Sequence, residues 1–213
     1  MPTFKEGDRI PLESGNVSIK IKSYIAQGGQ GEVYRVSYMG RDFALKWYSK
    51  YIPSQEFYDN LVKNVRNGSP GEHFLWPRAV TAKFKGTFGY VMNLIPSEYE
   101  EFSSFLLGTA RFSSWATLID AAMNIVESFL VLHSKGYSYQ DLNEGGFFIN
   151  PQNGDVLICD NDNVAPFGIN LGVKGMPKYM APEVVTNRTR PNTHTDRFSL
   201  AVILFRLFYI DHP

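Results

Sequence analysis

Disulfides are excluded at the outset. Only one cysteine, Cys159, occurs in 213 residues, so no internal bridge can form. It lies in the apolar run "VLIC", where a thiol packs as a small hydrophobe. An excess of charge is also missing. Lys plus Arg and Asp plus Glu both number 21, which gives no ground for a nucleic acid or acidic membrane partner. Long apolar runs are absent too: "LAVILF", near the C-terminus, is far too short to span a bilayer. The opening residues, "MPTFKEGDRIPLESG", lack the apolar core of a secretion signal. No internal repeat or low-complexity segment occurs. A cytoplasmic, reducing setting without membrane or nucleic acid is therefore expected. What is abundant is core material, with 44% hydrophobic and 15% aromatic residues, enough for one large domain or two small lobes.

The first part alternates like β-structure. Val17–Ala26 is apolar at every second position, as a half-buried strand would be. "GEVYRVSYMG" and "RDFALKWYS" continue the pattern, with Gly40 as the turn. Ser54 to Val65 predicts a short helix capped by Ser54. Two further strands are expected around Arg78–Lys83 and Gly89–Leu94. Beyond Pro96 the periodicity turns helical. "SSWATLIDAAMNIVESFLVLHSKG" predicts a helix capped by Ser113 or Ser114 and stopped by Gly136. Short strands "FFI" and "VLIC" flank the turn "NPQNGD". "HTDRFSLAVILFRLFYID" predicts a final helix apolar nearly all round, hence buried. A β-rich lobe (1–95) thus precedes a helical lobe (96–213), with a linker near Pro96–Glu101.

Several stretches carry the residue types of phosphate chemistry. The turn "AQGGQGEVY" would let backbone amides approach phosphate oxygens, although it also suits a plain hairpin and is no Walker A loop. Lys46 lies among apolar neighbours on the strand "FALKWY". Asp141, in "YSYQDLNEGGFFI", sits in a loop where a carboxylate could accept a hydroxyl proton or simply make a turn. In "VLICDNDNVAP", Asp160 follows a buried strand that could fix a magnesium ligand. A helix-loop-helix calcium loop is excluded, because Val164 and Ala165 fall where Asp or Asn and Gly are needed. "YMAPEVV" and "TDRFSL" then lead into the last helix.

The order of these elements is that of the protein-kinase signatures, and the chain resembles the eukaryotic-type protein kinase family from about Ile19 to its end. Gln140 and "DNDNV" suggest a divergent bacterial branch. The resemblance implies an α+β fold of two lobes, the second incomplete, binding ATP and Mg2+ in the cleft between them. It implies transfer of the γ-phosphate to Ser or Thr of a protein substrate. Gly28 and Gly31 match the second and third glycines of the nucleotide loop, and Ala26 replaces the first. Val33 and Ala44 would cover the adenine, with Phe148 beneath it. Met92 would line the back of the pocket, while Asn93 and Ile95 would offer backbone groups to the adenine edge. Lys46 matches the phosphate-holding lysine, Asp141 the catalytic base and Asp160 the metal ligand. Glu56, on the predicted helix, is the candidate partner of Lys46; Glu72 falls in a loop.

The resemblance also breaks at identifiable places. His-Arg-Asp becomes Tyr139-Gln140-Asp141, and no Ser, Thr or Tyr lies between Asp160 and Tyr179, so phosphate regulation of that segment is not expected. Asn143 replaces the usual lysine. Gly146 stands where an asparagine would hold a second metal, so either one metal suffices, or Asn143, Glu144 or Asp162 substitutes, or transfer is weak; Asp162 reads slightly better as a turn cap. A pseudokinase, acting as a nucleotide-binding scaffold, is the alternative reading, and a small-molecule phosphotransferase is a third that "YMAPEVV" opposes. The helices that would surround the last one, and the arginine that would pair with Glu183, are not in the sequence. A C-terminal continuation or a partner is therefore expected to cover Leu200–Ile210.

Overall fold

The computed structural model describes residues 2–84, 86–173 and 175–210. The chain divides into two compact units, Met1–Ser69 with Trp76–Leu94, and Pro70–Leu75 with Ile95–Pro213.

The first unit is built on one antiparallel sheet. Its strands are β1 (Arg9–Pro11), β2 (Ser18–Gln27), β3 (Glu32–Tyr38) and β4 (Arg41–Trp47). Helix α1 (Gln55–Asn67) follows, and β5 (Ala79–Val80) and β6 (Gly89–Met92) complete the sheet in the order β1-β2-β3-β4-β6-β5. Gly40, at φ 77°, makes the tight link between β3 and β4, a conformation costly for a residue with a Cβ. Ser54 caps α1, its hydroxyl accepting from the amide of Phe57 at 3.2 Å. One sheet face packs Tyr34, Val36, Leu45 and Trp47 into the core. The alternation of β2 overstates its burial: Ile19 and Ile21 are buried, whereas Tyr24 and Ile25 are exposed. The end of this strand extends beyond the core toward the glycine turn.

The second unit begins with β7 (Glu100–Glu101), α2 (Phe102–Leu106), α3 (Trp115–Ser134) and β8 (Tyr137–Ser138). It continues with β9 (Phe147–Ile149), β10 (Val156–Ile158), β11 (Ala165–Pro166), α4 (Pro182–Val185) and α5 (Thr193–Tyr209). Small sheets β10-β9-β7 and β11-β8 lie among the helices, so Glu100–Glu101 is a strand paired with β9 rather than free linker. The segment Pro70–Leu75 joins this unit because its backbone pairs with β10. The amide of Leu75 donates to the carbonyl of Ile158 at 2.8 Å, and that of Ile158 to His73 at 2.7 Å.

Helix α3 starts at the Ser114 cap, which accepts from the amide of Thr117 at 3.1 Å. An 18-residue stretch of this 20-residue helix has a mean hydropathy of 1.4, and it is the one helix among the described residues long and apolar enough to cross a bilayer. The sequence expectation considered only the C-terminal run and overlooked it. Here Ala121, Ile125, Phe129 and Leu132 are buried, and the helix packs on α5, β8 and β10 as a core helix. The last helix, α5, is less buried than its composition predicts. Val202, Ile203 and Leu207 face the core, while Phe208, Tyr209 and Ile210 are exposed.

Candidate active site

Register places the nucleotide-loop candidates of the first unit on one sheet face. Ala26 pairs with Val33, and Val33 with Lys46; Ala44 pairs with Met92. Directly opposed residues share a face, as do residues two apart on one strand. Ala26, Val33, Ala44, Lys46 and Met92 therefore lie on the face opposite Tyr34, Leu45 and Trp47. Lys46 is half-buried, its Nζ 5.8 Å and 5.9 Å from the ring centroids of Tyr48 and Tyr90. The aromatic π-faces attract the ammonium.

The glycine turn is a closed hairpin, with the amide of Gly28 donating to the carbonyl of Gly31 at 2.8 Å. Its glycines have different reasons. A Cβ on Gly31 would stand 1.9 Å from the carbonyl oxygen of Trp47, whereas one on Gly29 would meet nothing within 4 Å. Gly31 is thus demanded by the approach of β3 to the end of β4, whatever the turn binds. Asn93 is exposed and accepts from Nε of Arg78 at 2.6 Å, and Ile95 falls in the second unit.

The Glu56 candidate is not supported. It is exposed in the first turn of α1, and the buried residues of that helix are Phe57, Asn60, Leu61, Val62 and Asn64. The inward helix face offers amides where the resemblance implies a carboxylate. Amides cost less to bury than an ionised glutamate. Glu72 lies in a turn and is exposed.

The second unit brings the aspartates into a rigid frame. Asp196, in the first turn of α5, is 2% exposed. Its carboxylate accepts from the amide of Tyr139 at 2.6 Å and from that of Gln140 at 3.0 Å. His133 Nε2 lies 3.0 Å from the same group. The loop immediately before Asp141 is therefore clasped by a buried carboxylate, and charge-assisted bonds of this kind are the strong ones. Past Asp141, Asn143 folds back: its Nδ2 donates to the Asp141 carbonyl at 2.9 Å and its Oδ1 accepts from Gly145 at 3.0 Å. It shapes the 3-10 turn Glu144–Gly146. Arg206 of α5 donates to both Glu144 and the hydroxyl of Tyr179, tying that turn to the segment before α4.

Tyr139 runs underneath, fully buried, and its hydroxyl donates to the carbonyl of Cys159. Burial, followed by the charges of Asp160 and its neighbours, pushes this phenol well above its usual range, so it remains a donor. Tyr139 thus joins the Asp141 loop to the residue preceding Asp160. Asp160, two residues past β10, caps the following 3-10 turn in a left-handed conformation, φ 52° and ψ 37°, which aspartate tolerates better than most residues. Asn161, next in the chain, is buried and hydrogen-bonded. Its Nδ2 donates to the carbonyls of Ile158 at 2.8 Å and Leu75 at 3.1 Å. Phe148, half-buried on β9, pairs with Leu157.

The donors following β10 are all oxygen. They comprise the carboxylates of Asp160 and Asp162 and the carboxamide of Asn163, whose buried Oδ1 has no hydrogen-bond partner among the described residues. Among the described residues no three His, Cys, Asp or Glu side chains form a closed metal cage. Magnesium does not need one: one or two carboxylates suffice when phosphate and water complete its shell. The residues fit that ion.

Three residues of this frame were missed or misjudged in sequence. Asp196 lies in "TDRFSL", which by itself signals only a helix start, and Gln140 carries no sequence signal beyond its departure from the family arginine and the divergent branch it suggests. Arg206 was not singled out, yet a cation within the apolar stretch Leu200–Tyr209 must find a partner.

A β-rich unit with a glycine hairpin, followed by a helical unit with a clasped aspartate loop, is a kinase-type architecture. The kinase domain of Mycobacterium tuberculosis PknI superposes with a TM-score of 0.73 at 18% identity, covering 99% of this chain and 79% of that one. The sequence profile described as "Protein kinase domain" matches residues 81–213, and the chain belongs to that family. Protein kinase YegI of Escherichia coli (strain K12) is 25% identical over 206 residues, covering 89% of this chain and 31% of that protein. The RGS domain-containing serine/threonine-protein kinase A of Dictyostelium discoideum is 22% identical, covering 96% of this chain and 18% of its own length. The chain thus spans less than a third of these curated relatives.

Proposed function

We propose that this chain transfers the γ-phosphoryl group of ATP to a Ser or Thr hydroxyl of a protein, with magnesium as cofactor. The observation that carries this reading is the Asp196 clasp on the amides of Tyr139 and Gln140. A buried carboxylate spent on fixing two backbone amides has a rationale if the next residue, Asp141, must be accurately placed. In this reading Asp141 orients the acceptor hydroxyl and takes its proton. Lys46 holds the α- and β-phosphates, and the glycine hairpin offers them backbone amides. Asp160 and Asp162 would hold magnesium, which neutralises charge on the phosphates. Gly146 supplies no second-metal ligand, so a modest rate is expected. The setting is cytoplasmic, where ATP and magnesium are plentiful.

The test compares wild type with Asp141→Asn for phosphate transfer from labelled ATP to a generic basic protein. Transfer by the wild type alone, with nucleotide binding intact in both, is expected. Equal background signals with binding intact would overturn the reading and leave a nucleotide-binding interaction module.

A further inference from the structure

Gln140 is 4% exposed and takes a left-handed φ of 74°, yet its side chain is fully engaged. Nε2 donates to the hydroxyl of Ser138 at 3.0 Å and to the carbonyl of Ile169 at 2.6 Å. Oε1 accepts from Nδ2 of Asn170 at 3.0 Å. That same Nδ2 reaches the carbonyl of Val173 at 3.0 Å, and Asn170 Oδ1 accepts from Gly172 at 3.0 Å. Two amide side chains therefore hold the backbone of residues 169–173 onto the Asp141 loop.

The pinned segment leads directly to the base. A Cβ on Gly175 would lie 3.4 Å from the Gln140 carbonyl oxygen and 3.7 Å from Oδ1 of Asp141. The chain here thus passes in contact range of the Asp141 carboxylate.

We propose that Gln140 and Asn170 form an uncharged latch that keeps residues 169–173 docked beside Asp141 at all times, making both of them positioning residues. A buried arginine would need an anion to offset its desolvation. A buried amide with its donors and acceptor satisfied needs none. Between Asp160 and Tyr179 the chain carries no hydroxyl to phosphorylate, so the neutral pair does permanently what a phosphate would do conditionally. The effect on turnover rests on the kinase reading; the docking of the segment does not.

The experiment uses Asn170→Ala, at a half-buried position, and Gln140→Glu, which keeps shape but sets an acceptor against the Ile169 carbonyl. Hydrogen exchange at 169–173 and steady-state phosphate transfer are both measured. Each variant is expected to exchange about tenfold faster there and to lose about tenfold in kcat, with KM for ATP unchanged. The double variant should be no worse than the poorer single one. Unchanged exchange in Asn170→Ala overturns the latch, and faster exchange with normal kcat overturns the positioning role. Loss of wild-type activity on phosphatase treatment also overturns it, since the pair acts without phosphate. A wild type with no transfer at all would instead fail the kinase reading, and the exchange data would still decide the latch.

Discussion

A Cβ on Gly146 would stand 3.0 Å from the hydroxyl oxygen of Tyr139. Two departures from the family pattern therefore meet at one tight contact. The tyrosine in place of histidine reaches past residue 146 to the Cys159 carbonyl, so a side chain at 146 would crowd its hydroxyl.

This coupling is measurable by a double-mutant cycle. Gly146→Ala should destabilise the protein by about 1–3 kcal/mol through overpacking. In a Tyr139→Phe background the same change should cost clearly less, because the hydroxyl is gone. Equal costs in both backgrounds, by chemical denaturation, would show the two positions to be independent.

The glycine hairpin should split by position. Gly31→Ala drives a Cβ to 1.9 Å from a backbone carbonyl and should cost more than about 3 kcal/mol, unfolding the first unit early in a thermal scan. Gly29→Ala meets nothing within 4 Å and should melt within about a degree or two of wild type. Any effect of the second change should fall on nucleotide affinity.

Asp196→Ala strands the amides of Tyr139 and Gln140 in a buried site. A loss of about 2–4 kcal/mol is expected from their unpaired donors. Phosphate transfer should fall with the geometry of Asp141, measured under conditions where the variant remains folded. Normal transfer at normal stability would remove the clasp from the mechanism.

Stability should respond to pH through Glu32 and Tyr34. Burial raises the Glu32 pKa, but bonds from the Tyr34 hydroxyl and the Thr3 amide outweigh it, leaving it below the usual 4.5. Its contribution is present above that value and lost as pH falls through the lowered one. Burial and the Glu32 bond raise Tyr34 from 10.0 to about 12. That contribution is complete below pH 10 and lost as pH rises toward 12. Glu32→Gln should flatten the acid limb of a stability profile, and an unchanged limb would place the acid sensitivity elsewhere.

Much of the fold was legible because it is locally encoded. Ser54 and Ser114 cap the helices predicted to follow them, since an N-cap depends on a few adjacent residues. Gly40 marks its turn for the same reason. Burial was less legible. The outer half of β2 and the end of α5 have core-like compositions but exposed positions, because periodicity records polarity and not what lies opposite. Glu56 failed similarly: its position near the start of α1 was predictable, but the side of the helix turned inward was set by Phe57 and Leu61.

Sequence alone determined the order of the chemical groups, from glycine turn to lysine, Asp141 and Asp160, and with it the family. Only tertiary structure decided how these groups are held. Asp196 meets the backbone of Tyr139, Gln140 meets Asn170, and Arg206 meets Glu144 across separations of 57, 30 and 62 residues. Such pairings have no local signal, because each exists only after packing removes water and leaves a buried polar group in need of the other.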